Sequence, residues 1–168
     1  MNRKSKYRTN GAIGALLDEY EKSLHELTAV IKDVSKNDLV KIVDFSTKDE
    51  DCKSIQTILT HVIQSGYTYV IEIRKWLGEK VEYKDKKLFL NVVEYEVALN
   101  KMFQCHENLF EDYPNLEMCE YEFDKKINVR WGQQYDVEQL LEHAIVHILR
   151  HRRQIERFKE KLKASIRD

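Results

Sequence analysis

Eight positions in the last quarter of the chain constrain its fold more than any others. Val137, Leu141, Ala144, Ile148, His151, Ile155, Phe158 and Leu162 follow one another at alternating steps of four and three. That is the spacing of a single face of an α-helix. Asp136, with Gln139 three residues on, has the pattern of a capping box. A helix from 136 to about 164 would be roughly 40 Å long, and an apolar stripe of that length needs other long helices to cover it. The chain predicts three more. The first starts near Ala12 and carries Ile13, Leu16, Leu17, Tyr20, Leu24, Leu27, Val30, Ile31 and Val34, with Asn10 or Thr9 as its cap. The second runs from about Ser54 to Trp76 on Ile55, Ile58, Leu59, Val62, Ile63, Tyr69, Val70 and Ile73, stopping at Leu77-Gly78. Gly66 within it costs about 1 kcal/mol of helix propensity relative to Ala and permits a close neighbour. The third spans about Leu88 to Phe110, its stripe read as Leu90, Val93, Val97, Leu99, Met102 and Phe103. Tyr113-Pro114-Asn115 ends it.

Composition agrees. Five Gly and one Pro in 168 residues argue against disorder and turn-rich β architectures. With 42% hydrophobic and 34% charged residues, the chain can fill one core and solvate the opposite helix faces. The expectation is an all-α fold, a four-helix bundle in up-down-up-down order. It forms a single domain over 1–168, with residues 1–10 as a flexible arm. Residues 35–50 and 79–87 read as connectors. The stretch 116–134 is open between a helix extension, a long crossover and a short hairpin.

Twenty-eight Lys and Arg against 29 Asp and Glu give a net charge of -1, which removes the basic field a nucleic-acid binder needs. Three cysteines, without a CxxC, suit a reducing compartment. No apolar run follows the basic N-terminus, and none is long enough to span a bilayer. A cytoplasmic protein that engages neither membrane nor nucleic acid is expected.

The chemistry concentrates on the last helix. His143, His147 and His151 are each four residues from the next, so their side chains stand one above another. His151 lies on the apolar stripe and His147 beside it. A buried imidazole needs a partner for each ring nitrogen, and a metal ion serves two or three rings at once. A further ligand should come from another helix, and His61, inside the apolar run of the second helix, is the candidate. Three imidazoles around Zn²⁺, Ni²⁺ or a similar ion leave a position open for water or substrate. Plainer readings compete. A lone His61 in such a run is ordinarily a satisfied core residue, and the pair on the last helix, flanked by Arg150, Arg152 and Arg153, would suit a solvated face. His143 drifts about 80° around the axis from His151 and is left as an outer neighbour or occasional ligand. Glu142, Tyr69, Glu72 and Gln154 are candidates to support the ligands from behind.

The run His147-x-x-x-His151-Arg152-x-Gln154-Ile155 resembles the H-x-x-x-H-R-x-Q-I ending of the DinB/YfiT-like superfamily. Ser54 to Val62 resembles that family's S-x-x-x-x-L-x-H pattern, and the resemblance covers nearly the whole chain. It implies a bundle with a three-histidine divalent-metal site, often Zn or Ni, and frequent homodimers. Carried over residue by residue, the ligands are His61, His147 and His151. It also implies a small-molecule substrate and thiol-dependent transferase or hydrolase chemistry, in some relatives with a low-molecular-weight thiol. Arg153 departs from the family's usual Gly. The alternative from a different class is a non-catalytic helical binding or structural protein, a stress-related homodimer whose metal site is vestigial or only stabilising.

Elsewhere, His25 reads as a rim residue, Cys105-His106 as an adjacent pair pointing apart, and Cys105 and Cys119 as small core hydrophobes. Cys52 is expected near the surface. Tyr67, Tyr69 and Trp76 are placed in the core, a pocket or a dimer seam, and Trp131-Gly132 at one bundle end.

Overall fold

The computed structural model describes residues 7–164. Four long helices form the bundle: α1 (Gly11–Ile31), α3 (Ile55–Trp76), α4 (Val92–Asp112) and α5 (Val137–Ala164). A short α2 (Lys36–Val40) lies in the first connector, and a two-stranded antiparallel hairpin, β1 (Ile127–Asn128) and β2 (Gln134–Tyr135), precedes α5. Residues 116–134 thus hold the hairpin, one of the three options the sequence leaves. Three of the four long helices start at a side chain that caps their free N–H groups, whereas on α1 the expected Asn10 stands at the cap position without a side-chain cap bond. Ser54 and Thr57 exchange hydrogen bonds in a capping box on α3, and Asp136 and Gln139 do the same on α5.

All eight stripe residues of α5 are buried, as is most of the predicted stripe of α3. On α4 the buried face is rotated from the expected one. Asn91 caps the helix through its side chain and the Glu94 N–H, so α4 begins at Val92. Its inward residues are Tyr95, Leu99, Met102, His106 and Leu109, again at steps of four and three. Leu90, Val93 and Val97 are instead 70%, 64% and 48% exposed. The inner stripe includes a Tyr and a His, and an apolar-only reading passed over both.

The helix order also departs from up-down-up-down. α1 packs on α4 and α5, and α3 packs on α4 and α5, so the first two long helices sit on a diagonal. Thr60 meets Tyr95 near the starts of α3 and α4. Gly66 meets Met102 midway, and Arg74 pairs with Asp112 near both ends. These two helices are therefore parallel. α5 runs parallel to α1, with Glu26 on Arg152 and Asp33 on Lys159, and antiparallel to α3, with His61 on His147 and Tyr69 on His143. The order is up-down-down-up. Residues 77–91 make the parallel step possible by returning along α3. Tyr83 donates to Glu72, Gln64 to the Lys84 carbonyl, Lys86 to Asp51, and Gln56 to the Phe89 carbonyl. Extended, such a connector reaches about 50 Å, enough for the roughly 33 Å of α3.

The flexible arm expected over residues 1–10 lies partly outside the described residues. Within them, Arg8 is held by Asp18, Glu21 and Glu107, tying the segment to α1 and α4.

The α3–α4 contact depends on the missing side chain at Gly66, where a Cβ would fall 2.2 Å from Met102 Sδ. Gly66→Val should cost about 1–3 kcal/mol through overpacking. Urea denaturation should show a lower midpoint; an unchanged midpoint would mean that the two helices do not approach this closely.

Candidate metal centre

The antiparallel pairing of α3 and α5 sets the second turn of one helix against the middle of the other. His61 on α3 faces His147 and His151, one turn apart on α5. His147 Nε2 lies 2.9 Å from His61 Nε2 and 3.2 Å from His151 Nε2. One ring nitrogen from each residue falls within 4.8 Å of the other two. His151 is only 3% exposed, and His61 and His147 are half-buried. The two helices therefore bring together the three imidazoles the sequence singles out.

The opposite ring nitrogens decide what the Nε2 atoms offer. His61 Nδ1 donates to Asp51 Oδ2 at 3.3 Å, and His151 Nδ1 donates to Gln154 Oε1 at 3.0 Å. With the proton on Nδ1 in both rings, each Nε2 presents a lone pair. Both lone pairs aim at His147 Nε2, which carries at most one proton. Three neutral imidazoles leave at least one lone pair without a matching donor, and a cation between them removes the conflict. Burial holds all three rings below the ordinary imidazole range. His61 is lowered despite the opposing pull of Asp51, and His151 falls to about 4. His147 lies lowest, its burial reinforced by the neighbouring imidazoles. All three are thus uncharged at neutral pH, the form that binds a metal.

Asp51 is the supporting residue that sequence reasoning missed. It sits in a single 3₁₀ turn (Glu50–Cys52) just before α3 and is itself gripped by Lys86 at 2.6 Å. Its signal was present only as an acidic residue ten positions before His61, a separation with no periodic meaning. Among the supporting candidates, Gln154 takes that role. Glu72 serves elsewhere, accepting from Tyr83 and from the Arg130 N–H, and Glu142 is exposed. Tyr69 sets its ring edge-on to His147 and His143, at 6.0 and 5.5 Å. His143 stays outside the three-nitrogen cluster. It borders a cleft of about 340 Å³ that opens from His61 and His147 and is walled by Tyr69, Trp131, Gln133, Ser65 and Thr68.

The remaining motif residues have structural roles. Arg152 pairs with Glu26 on α1 and Ile155 is fully buried, while Arg153 faces water. His25 is exposed, as expected; Cys52, Cys105 and Cys119 are half-buried and in no disulfide, so Cys105 and Cys119 are not the core hydrophobes expected, and the Cys119 thiol donates to Glu138. His106 turns inward, away from Cys105. It donates from Nδ1 to the Met102 carbonyl, and its Nε2 has no partner among the described residues.

No family model matches the chain, and no curated protein matches it either.

The depressed imidazoles make stability depend on pH. His106 and His151 both sit at about 4 when folded, against 6.5 as the ordinary value. The unfolded chain binds those protons first. Stability of the metal-free protein should therefore be complete above about pH 6.5. It should fall as the pH drops toward 4, by up to about 1.4 kcal/mol per pH unit for each group. Urea titrations across that range should show the decline, with a shallower slope in His106→Phe; a flat profile would contradict the burial of these rings.

Proposed function

We propose that His61, His147 and His151 hold one divalent cation, Zn²⁺ or Ni²⁺, through their Nε2 atoms. On this reading the protein is a metal-dependent enzyme acting on a small molecule, as a thiol-dependent transferase or a hydrolase. The observation that carries it is the convergence of three Nε2 atoms, two with their tautomers fixed from behind, at the wall of an open cleft. The donor set fits. Tetrahedral Zn²⁺ with Zn–N of about 2.0–2.1 Å separates its ligand nitrogens by about 3.4 Å, close to the 2.9 and 3.2 Å found here. Three protein ligands leave room for a fourth from outside, the arrangement of a catalytic rather than a closed structural site.

When bound, such an ion supplies Lewis acidity that lowers the pKa of a water or a thiol. The protein's own residues do the rest. Asp51 and Gln154 hold two imidazoles in the ligating tautomer. Tyr69 and Trp131 narrow the approach. No carboxylate lines the cleft, so His143 is the group placed there to accept or release a proton away from the cluster. The resemblance to the DinB/YfiT-like superfamily supports the same reading, since each motif residue has a job consistent with it: His147 and His151 at the cluster, Arg152 locking α5 to α1, Gln154 orienting His151, and Ile155 in the core. Homodimerisation and a cytoplasmic setting belong to this proposal. The three free cysteines are compatible with that setting, and among the described residues no helix is long and apolar enough to cross a membrane.

Metal analysis of protein purified without a histidine tag should find close to one divalent ion per chain. His147→Ala should lose it, and Asp51→Ala should bind it about 10–100-fold more weakly. Zn²⁺ at about 100 times its dissociation constant should raise stability by roughly 2.7 kcal/mol in the parent and not in His147→Ala. A folded, metal-free protein whose melting ignores chelators would favour the non-catalytic alternative.

A further inference from the structure

The cleft beside the three histidines has a composition that selects what enters it. No Lys, Arg, Asp or Glu lines it. Its largest surfaces are rings. Trp131 and His143 both border it and lie nearly parallel, 27° apart with centroids separated by 6.2 Å. Tyr69 stands perpendicular to both, at 5.9 and 5.5 Å, and closes its end. The wall is built rather than incidental. Gly132, at φ +85°, turns the hairpin so that Trp131 lies beside α3 and α5. The Trp131 and Tyr135 side chains both donate to Gln133 Oε1, bracing the hairpin from behind. Trp131 keeps 39% of its surface exposed at the rim, so the wall can take on a further ring without unpacking the core.

We infer that this cleft binds the uncharged, planar body of the substrate against Trp131 and His143, with the reactive atom directed at His61 and His147. The direction of the reactive atom rests on the metal-dependent reading above; the binding of the flat body does not. Aromatic walls favour planar apolar surface by stacking. A charged body would lose its hydration with no opposite charge in the lining to replace it. A cationic body would gain from the ring faces, but less than the cost of stripping water from its charge with no carboxylate in the lining to replace it. Trp131 and His143 are therefore specificity-determining residues, and the electron-rich end of the substrate is the part that turns toward the histidine cluster.

The test uses the full chain stripped of metal and labelled with 5-fluorotryptophan, so that binding is read independently of any ion. Trp76→Phe assigns the two fluorine resonances. The probes are 2-naphthol, 2-naphthoate and a naphthylmethyl-trimethylammonium ion, at neutral pH. We expect 2-naphthol to shift the Trp131 resonance and leave Trp76 unmoved, and to bind about tenfold or more tightly than either charged probe. Read from the probe's own naphthyl fluorescence, since these variants remove the fluorine reporter, Trp131→Ala should weaken binding about tenfold, while Trp131→Phe stays within about threefold. His143→Phe should retain binding and His143→Ala should lose most of it, with circular dichroism confirming each fold. The inference is overturned if Trp131 does not shift, if a charged probe binds as well, or if Trp131→Ala binds like the parent. Metal titration of the same samples separates the two claims: probe binding without metal uptake would sink the enzyme reading alone, and metal uptake without probe binding would sink this one alone.

Discussion

Three imidazole Nε2 atoms converging across two helices, two of them presenting lone pairs, are an arrangement the bundle maintains against its own electrostatics. Neutral rings can place a single proton among these contacts, which leaves at least one lone pair unmatched, and protonated rings would repel. The surrounding structure supplies what the cluster lacks. Asp51 and Gln154 fix two tautomers from behind, Arg152 ties α5 to Glu26 of α1, and Gly66 admits Met102 and draws α4 close against α3. Without these restraints the rings could rotate apart and each find a water molecule. The convergence is evidence for a cation because so much nearby structure holds it in place.

The return segment between α3 and α4 links topology to this site. Because those helices are parallel, residues 77–91 must travel back along α3, and in doing so they pass the histidine cluster. Lys86 meets Asp51 there, and Asp51 holds His61. At the other end Tyr83 and the Arg130 N–H share the Glu72 carboxylate, joining the segment to the hairpin that carries Trp131. One connector thus contacts, through one or two bonds, both the support of a cluster histidine and the wall of the cleft. An up-down-up-down bundle, with a short turn at that position, would have neither contact.

What the sequence discloses divides along a physical line. Features that repeat along one helix are legible: the α5 stripe and its cap match residue for residue, and the His147–His151 pair lands on adjacent turns of one face. His61 is legible only in company with that pair, because a lone imidazole within an apolar run is ordinarily a satisfied core residue. Features that depend on two segments meeting are not. Asp51 carries no periodic signature, and its role exists only because Lys86 and His61 arrive from either side. The parallel α3–α4 step is invisible for the same reason, since a charged connector reads alike whether it turns back at once or travels the length of a helix. The misread face of α4 has a third cause. Tyr95 and His106 are amphipathic, and a count of apolar residues passes over side chains that are buried while one polar atom is satisfied locally, as Tyr95 does through Thr60 and Gln56.

His106 shows why burial alone is a poor guide to a metal-binding histidine. It is more deeply buried than any ring in the cluster, its pKa is depressed like theirs, and its Nε2 has no hydrogen-bond partner among the described residues. Yet it packs edge-on to the Tyr20 ring and donates to the Met102 carbonyl, and among the described residues it belongs to no group of three or more potential metal ligands. A single lone pair in an apolar site costs stability and binds nothing in return. The cluster differs in two respects: three ring nitrogens converge on one point, and partners on Nδ1 hold two of the rings in the ligating tautomer. Those two conditions together, rather than a low pKa or a His-x-x-x-His spacing, separate a candidate ligand from a core histidine in this bundle.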